Sequence, residues 1–251
     1  MAHQLKVSKP VYPSAVGDFV LLVDGIWFRF KRRPWVIYLI ALKRPQDDFA
    51  TFLDPVLRPG TECRQGWIEA FDTIPAVHRP LVRALVCDNF MGSMTIAKVN
   101  GWVLQYCHFH VLASLYSKLG LRRPRTVGSI ELRREAYELV RTALTTPDES
   151  IREAIEFRLM TLANGNLLPF RFSNILREFV RRLDDYRAYR YHPALRLPRT
   201  TGSAESMCRM IRDMMGRNRS VATPAALKLW VTVFMRLRHE IACRPAQIST
   251  N

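Results

Sequence analysis

Apolar positions in the first hundred residues fall into short runs with strand character. Residues 20–30, 35–42 and 49–53 predict three successive strands. The first two are joined by the basic turn Lys31-Arg32-Arg33-Pro34, which suits an antiparallel hairpin. A helical stretch follows around residues 66–71. The next apolar run, residues 82–86, stops directly on Cys87-Asp88, and a short helix over 94–99 leads to a fifth strand at 102–106. Three meander strands followed by strands alternating with helices predict an α/β chain with a mixed sheet covered on its faces.

From about Ser129 the period changes to that of helices. Thr146-Pro147-Asp148-Glu149 reads as a capping box with proline in the first helical position. Ile151, Ile155 and Leu159 then form one helical stripe, and Ile175, Phe179 and Leu183 another, in a helix following Ser173. Residues 191–201, with Pro193 and Pro198, predict a loop. Ser203 is the expected cap of a helix through Met215, with Gly216 at its end. Thr223-Pro224 opens a last amphipathic helix to about Ile241, through Leu227, Trp230, Phe234 and Leu237. The outline is a tail (1–18), the first part of a core (19–120), a helical insertion (121–190) and the rest of the core (191–251).

Composition adds a partner. Lys plus Arg number 38 against 22 acids, a net charge of +16, and arginine supplies 31 of the 38. Arginine's planar fork grips phosphate oxygens bidentately, so the excess points to nucleic acid. No apolar run reaches the roughly 18 to 20 residues of a membrane span. The polar residues 1–9 lack the apolar stretch of a signal peptide. Five scattered cysteines (Cys63, Cys87, Cys107, Cys208, Cys243) form no disulfide framework, and a soluble protein of a reducing compartment is expected.

The candidate chemistry lies in carboxylates. Leu21-Leu22-Val23-Asp24-Gly25 and Leu85-Val86-Cys87-Asp88-Asn89 each end an apolar run on an aspartate. Either one alone reads as a turn former; together they predict a shared site at one sheet edge. Glu205, in the first turn of its helix, is the third candidate, although acids favour helix N-termini in any case. Residues 187–219 hold eight arginines (187, 190, 196, 199, 209, 212, 217 and 219) around Glu205 and Asp213. Arg209 and Arg212 are the strongest phosphate ligands, being aligned with Glu205 on the helix, and Arg217 and Arg219 extend the set. Cys107 and His110 are expected to pack in support of the site, because no second ligand pair at zinc-finger spacing follows. Trp27, Trp102 and Trp230 read as core residues, and Asp47-Asp48 and Asp184-Asp185 as solvated acids.

On these residues the chain resembles the DDE transposases of bacterial insertion sequences and their Mutator-like relatives. Val23-Asp24-Gly25 and Val86-Cys87-Asp88 match the family's two aspartate motifs, and Cys107-His108-Phe109-His110 is similar to its Cys-x-x-His element. Thr200 to Arg209 is similar to its Thr-Thr-x-x-x-Glu-Ser…Arg pattern. The resemblance implies a ribonuclease-H-like fold with a helical insertion before the last acidic helix. It implies two Mg²⁺ or Mn²⁺ ions held by Asp24, Asp88 and Glu205, with zinc not expected. It further implies cleavage of element ends and strand transfer into double-stranded target DNA, by a homodimer in a prokaryotic cytoplasm, associated with the nucleoid. About 18 residues precede the first strand, where relatives carry a DNA-binding region, which leaves open a shortened element protein, a split system with a separate DNA-binding subunit as partner, or a decayed copy. Two alternatives stay open: a nuclease of the same fold that cuts without joining, and an inactive or domesticated remnant that only binds DNA.

Overall fold

The computed structural model describes residues 9–119, 129–217 and 223–243. The chain divides into two compact units, one formed by residues up to Tyr106 together with those from Tyr189 on, the other by Cys107–Ala188.

The first unit is built on a mixed sheet. Strands β1 (Phe19–Phe30), β2 (Arg33–Lys43) and β3 (Phe49–Phe52) form an antiparallel meander, and β4 (Val56–Pro59) pairs with the outer part of β2. Strands β5 (Val82–Cys87) and β6 (Val103–Tyr106) run parallel to β1 on its other side. The order is β6-β5-β1-β2-β3, with β7 (Glu240–Ala242) closing the edge against β3. Residues 19–23 of β1 and 36–42 of β2 are all buried. Continuous burial, rather than alternation, is what a sheet covered on both faces requires.

Helix α1 (Arg64–Phe71) covers one face, where Trp67 meets Tyr38 edge-on with ring centroids 4.9 Å apart. Helix α2 (Ser93–Asn100) connects β5 to β6. A glycine inside α1 would ordinarily gain stability on becoming alanine, by about 0.5–1 kcal/mol. At Gly66, however, an added Cβ would overlap the ring and hydroxyl of fully buried Tyr38. Gly66→Ala is therefore expected to destabilise the first unit by about 2 kcal/mol, as overpacking does; an unchanged denaturation midpoint would remove this contact as the reason for glycine.

The second unit is all helical: α3 (His108–Tyr116), α4 (Ile130–Thr145), α5 (Glu149–Asn164), α6 (Phe170–Arg181) and the short α7 (Leu183–Tyr186). It takes in Cys107 and the helix after it, as well as the segment read from sequence as an insertion. The first unit resumes through the short α8 (Ala188–Tyr191), α9 (Gly202–Arg217) and α10 (Pro224–Leu237). No helix among the described residues is long and apolar enough to cross a membrane. All five cysteines are free thiols.

Several sequence expectations are corrected. The cap of α5 is Asp148, whose carboxylate accepts from the Ser150 and Ile151 N–H groups, and Thr146 instead accepts from the Asp148 N–H. A charged carboxylate next to the helix end outcompetes a hydroxyl for those donors. Helix α6 starts at Phe170 and not after Ser173, and buries Phe172, Leu176 and Phe179. Helix α9 begins one residue before Ser203, which is buried in its first turn, and continues through Gly216 to Arg217. Helix α10 ends at Leu237, and residues around Ile241 form β7, because β3 offers an unpaired edge there. Trp27 is 51% exposed and not core, since β1 outruns its neighbour β5 at that level.

Candidate functional site

The β1–β5 register determines how the two aspartates meet. The last pair of that parallel ladder is Leu22 with Val86. Asp24 and Asp88 each lie two residues further along, Asp24 still within β1 and Asp88 just past the end of β5, so both follow the same end of the parallel ladder. Side chains alternate along β1, and Gly25 pairs with Tyr38, which packs under α1. Asp24 therefore points to the opposite face.

That opposite face is where α9 packs on β1. The buried Cys208 thiol of α9 donates to Asp24 Oδ2 at 3.3 Å, and the Gly25 N–H donates to Asp24 Oδ1 at 2.8 Å. Asp24 is only 7% exposed, so its charge is held by fixed donors in a largely dry setting. Burial, and then the charge and hydrogen bond of Asp24, push the Cys208 thiol well above its ordinary pKa. It stays a neutral donor to the carboxylate. Glu205 and Arg212 lie close enough to Cys208 for their charges to act on it in opposite senses. Positions 205, 208 and 212 share one face of a helix, which places Glu205 beside the aspartate through their common neighbour.

Glu205 is half-buried, and the Thr201 hydroxyl donates to its Oε1 at 3.2 Å. The Glu205 N–H donates to the Thr201 carbonyl at 2.9 Å, so Thr201 anchors both ends of the residue. Among the described residues, Asp24, Asp88 and Glu205 do not form a group whose ligand oxygens all lie within 4.8 Å of one another.

The arginines divide. Arg209 and Arg212 are exposed on α9. Arg217 is the last residue of that helix, and Arg219 lies outside the described residues. Arg187, one of the eight arginines counted over residues 187–219, is fully buried in the second unit and donates to the carbonyls of Ala143 and Thr146 and to Glu149. It is a structural residue. Sequence offered no sign of this, because charge composition does not say which arginines face inward.

Cys107 and His110 belong to the second unit. Cys107 is the buried N-cap of α3, and His110, half-buried in the first turn, brings a ring nitrogen within 4.8 Å of the Cys107 sulfur. His108, between them, is fixed by a 2.7 Å hydrogen bond to the Tyr186 carbonyl. Cys208 is the site neighbour that sequence reasoning missed. Its only signal was its place one turn after Glu205.

A cavity of about 290 Å³ lies between α1 and α2, lined by Phe71, Val99, Trp102, Arg64 and Arg79 among others. None of the three acids lines it. Compared with known protein families and with characterised proteins, the chain matches none.

Proposed function

We propose that the chain is a metal-dependent polynucleotidyl transferase with a ribonuclease-H-like core, acting as a DNA transposase. One observation carries the reading: adjacent parallel strands deliver Asp24 and Asp88 in equivalent positions, and α9 brings Glu205 to the same face beside Cys208. The strand order, an antiparallel meander extended by two parallel strands, is compatible with such a core.

The donor set fits hard divalent cations, because it is made of carboxylate oxygens. One ion coordinated at about 2.1 Å would need its carboxylates within roughly 4 Å of each other. Two ions about 3.5 to 4 Å apart allow the outer acids a wider separation. Asp24 and Asp88 would hold the pair, with Glu205 completing one side; when bound, the ions activate the attacking oxygen and stabilise the leaving one. The protein's own part is orientation. Gly25 N–H and Cys208 fix the Asp24 carboxylate, Thr201 fixes Glu205, and Arg209 and Arg212 hold the phosphates that flank the cut. Water serves as the first nucleophile and the freed 3′-hydroxyl as the second, in one site.

The test uses duplexes from the DNA that flanks the coding region, with Mg²⁺ or Mn²⁺. Nicking at the element end, and a joined product from a pre-cleaved end, are expected. Nicking without any joined product would favour the simple nuclease, and binding with neither product would favour the non-catalytic remnant.

A further inference from the structure

The outer part of the β1–β2 hairpin concentrates cations at one tip. Some exposed arginines elsewhere carry carboxylate partners: Arg83 with Asp18, Arg79 with Asp72, Arg158 with Glu135 and Arg141 with Glu138. Arg29, Lys31, Arg32 and Arg33 are all exposed, and among the described residues no acid forms an ion pair with any of them. Two aromatic rings lie against these cations, with Arg29 5.7 Å from the Trp27 ring centroid and Lys31 5.9 Å from that of Phe30. Trp27 is half-exposed on a ribbon that has left β5 behind.

The turn itself is a second, independent sign. Phe30 pairs with Arg33, which leaves a two-residue loop of Lys31 and Arg32 at φ 49° and 65°. Both loop residues of such a turn need left-handed backbone, and Asn-Gly is the dipeptide that adopts it with least strain. Two long cations occupy it instead. Side chains that cost stability where a better turn is available point to a use for their charge.

We infer that this ribbon is a DNA-binding arm that grips the phosphate backbone of duplex DNA by its groove, as two-stranded ribbons can. The inference rests on the functional reading above and adds to it the place where the duplex lies. Phe30 lies six steps along the chain from Asp24, so the tip stands about 20 Å along β1 from the acid, a distance of roughly six base pairs. The arm would hold the duplex that far from the scissile phosphate, with Trp27 and Phe30 stiffening the cations.

The experiment is duplex binding by fluorescence anisotropy in EDTA, which bars cleavage, across 50 to 200 mM salt. The double variant Lys31→Asn, Arg32→Gly supplies the favoured turn and removes two charges. It is expected to melt higher than the parent, to bind about tenfold more weakly at low salt, and to show a slope of log K against log salt flatter by about 2. Arg29→Gln with Arg33→Gln, outside the turn, is expected to flatten the slope in the same way. Parent-like affinity and slope in both variants would overturn the arm while leaving the functional reading intact. Failure of the parent itself to bind any duplex, or its preference for anionic vesicles over DNA in competition, would overturn both.

Discussion

Asp24→Asn is expected to abolish metal-dependent nicking while leaving the fold as stable as before, or more so. The carboxylate is buried, and both its oxygens already accept hydrogen bonds, from the Gly25 N–H and the Cys208 thiol. An asparagine fits the same space with its oxygen toward the Gly25 N–H and its amide nitrogen toward the Cys208 sulfur, a weak acceptor. The buried charge disappears, and with it a desolvation cost that the folded state carried. On the proposed function the reaction needs that charge, because an amide is a poor ligand for a hard cation. Losing several kcal/mol of transition-state stabilisation, about 4 kcal/mol, corresponds to a rate lower by about 10³. The same loss is expected for Asp88→Asn and Glu205→Gln. Rates and melting temperatures of the three variants, measured together, decide it; nicking within threefold of the parent in any one of them excludes that residue from the site.

Arg187→Met is expected to cost the second unit about 3 kcal/mol and to leave DNA binding unaltered. Arg187 is fully buried, and its guanidinium donates to the Ala143 carbonyl at 2.7 Å, the Thr146 carbonyl at 3.0 Å and Glu149 Oε1 at 2.8 Å. Ala143 lies in the last turn of α4, where carbonyls lack intrahelical partners and the helix dipole favours a cation. Methionine fills much of the volume but supplies no donor, so buried acceptors are stranded at about 1–3 kcal/mol each. Glu149 is half-exposed and keeps its pairing with Arg152, which limits the damage. Urea denaturation followed by far-ultraviolet circular dichroism measures the change. A loss below about 1 kcal/mol would show that water replaces the guanidinium in the folded state. An accompanying drop in the salt slope of DNA binding would instead make Arg187 a phosphate-binding residue.

Both results bear on how much was legible in the chain itself. The strands β1, β2, β3, β5 and β6 were readable because burial of most of their positions leaves mainly apolar runs of strand length. Strands β4 and β7 were not, because Val56–Pro59 and Glu240–Ala242 carry no alternation of their own and exist only where β2 and β3 leave an open edge. The cap at Asp148 was mistaken for Thr146 since both hydrogen-bond to nearby N–H groups, and only backbone geometry decides which N–H groups belong to the helix.

The sequence by itself determined that two apolar runs end on aspartates, that a helix begins near a glutamate, and that positive charge predominates. Those are local facts of period, propensity and composition. Tertiary structure decided the rest. The parallel pairing of β1 with β5 brought the two segments that lead to Asp24 and Asp88 together, the seating of α9 put Cys208 onto Asp24, and the early end of β5 left Trp27 and the hairpin tip exposed. It also sorted the arginines, sending Arg187 inward and leaving Arg209 and Arg212 outside. The reason is physical: a side chain's period says that it will be covered, while which element covers it depends on contacts between residues as far apart as 24 and 208.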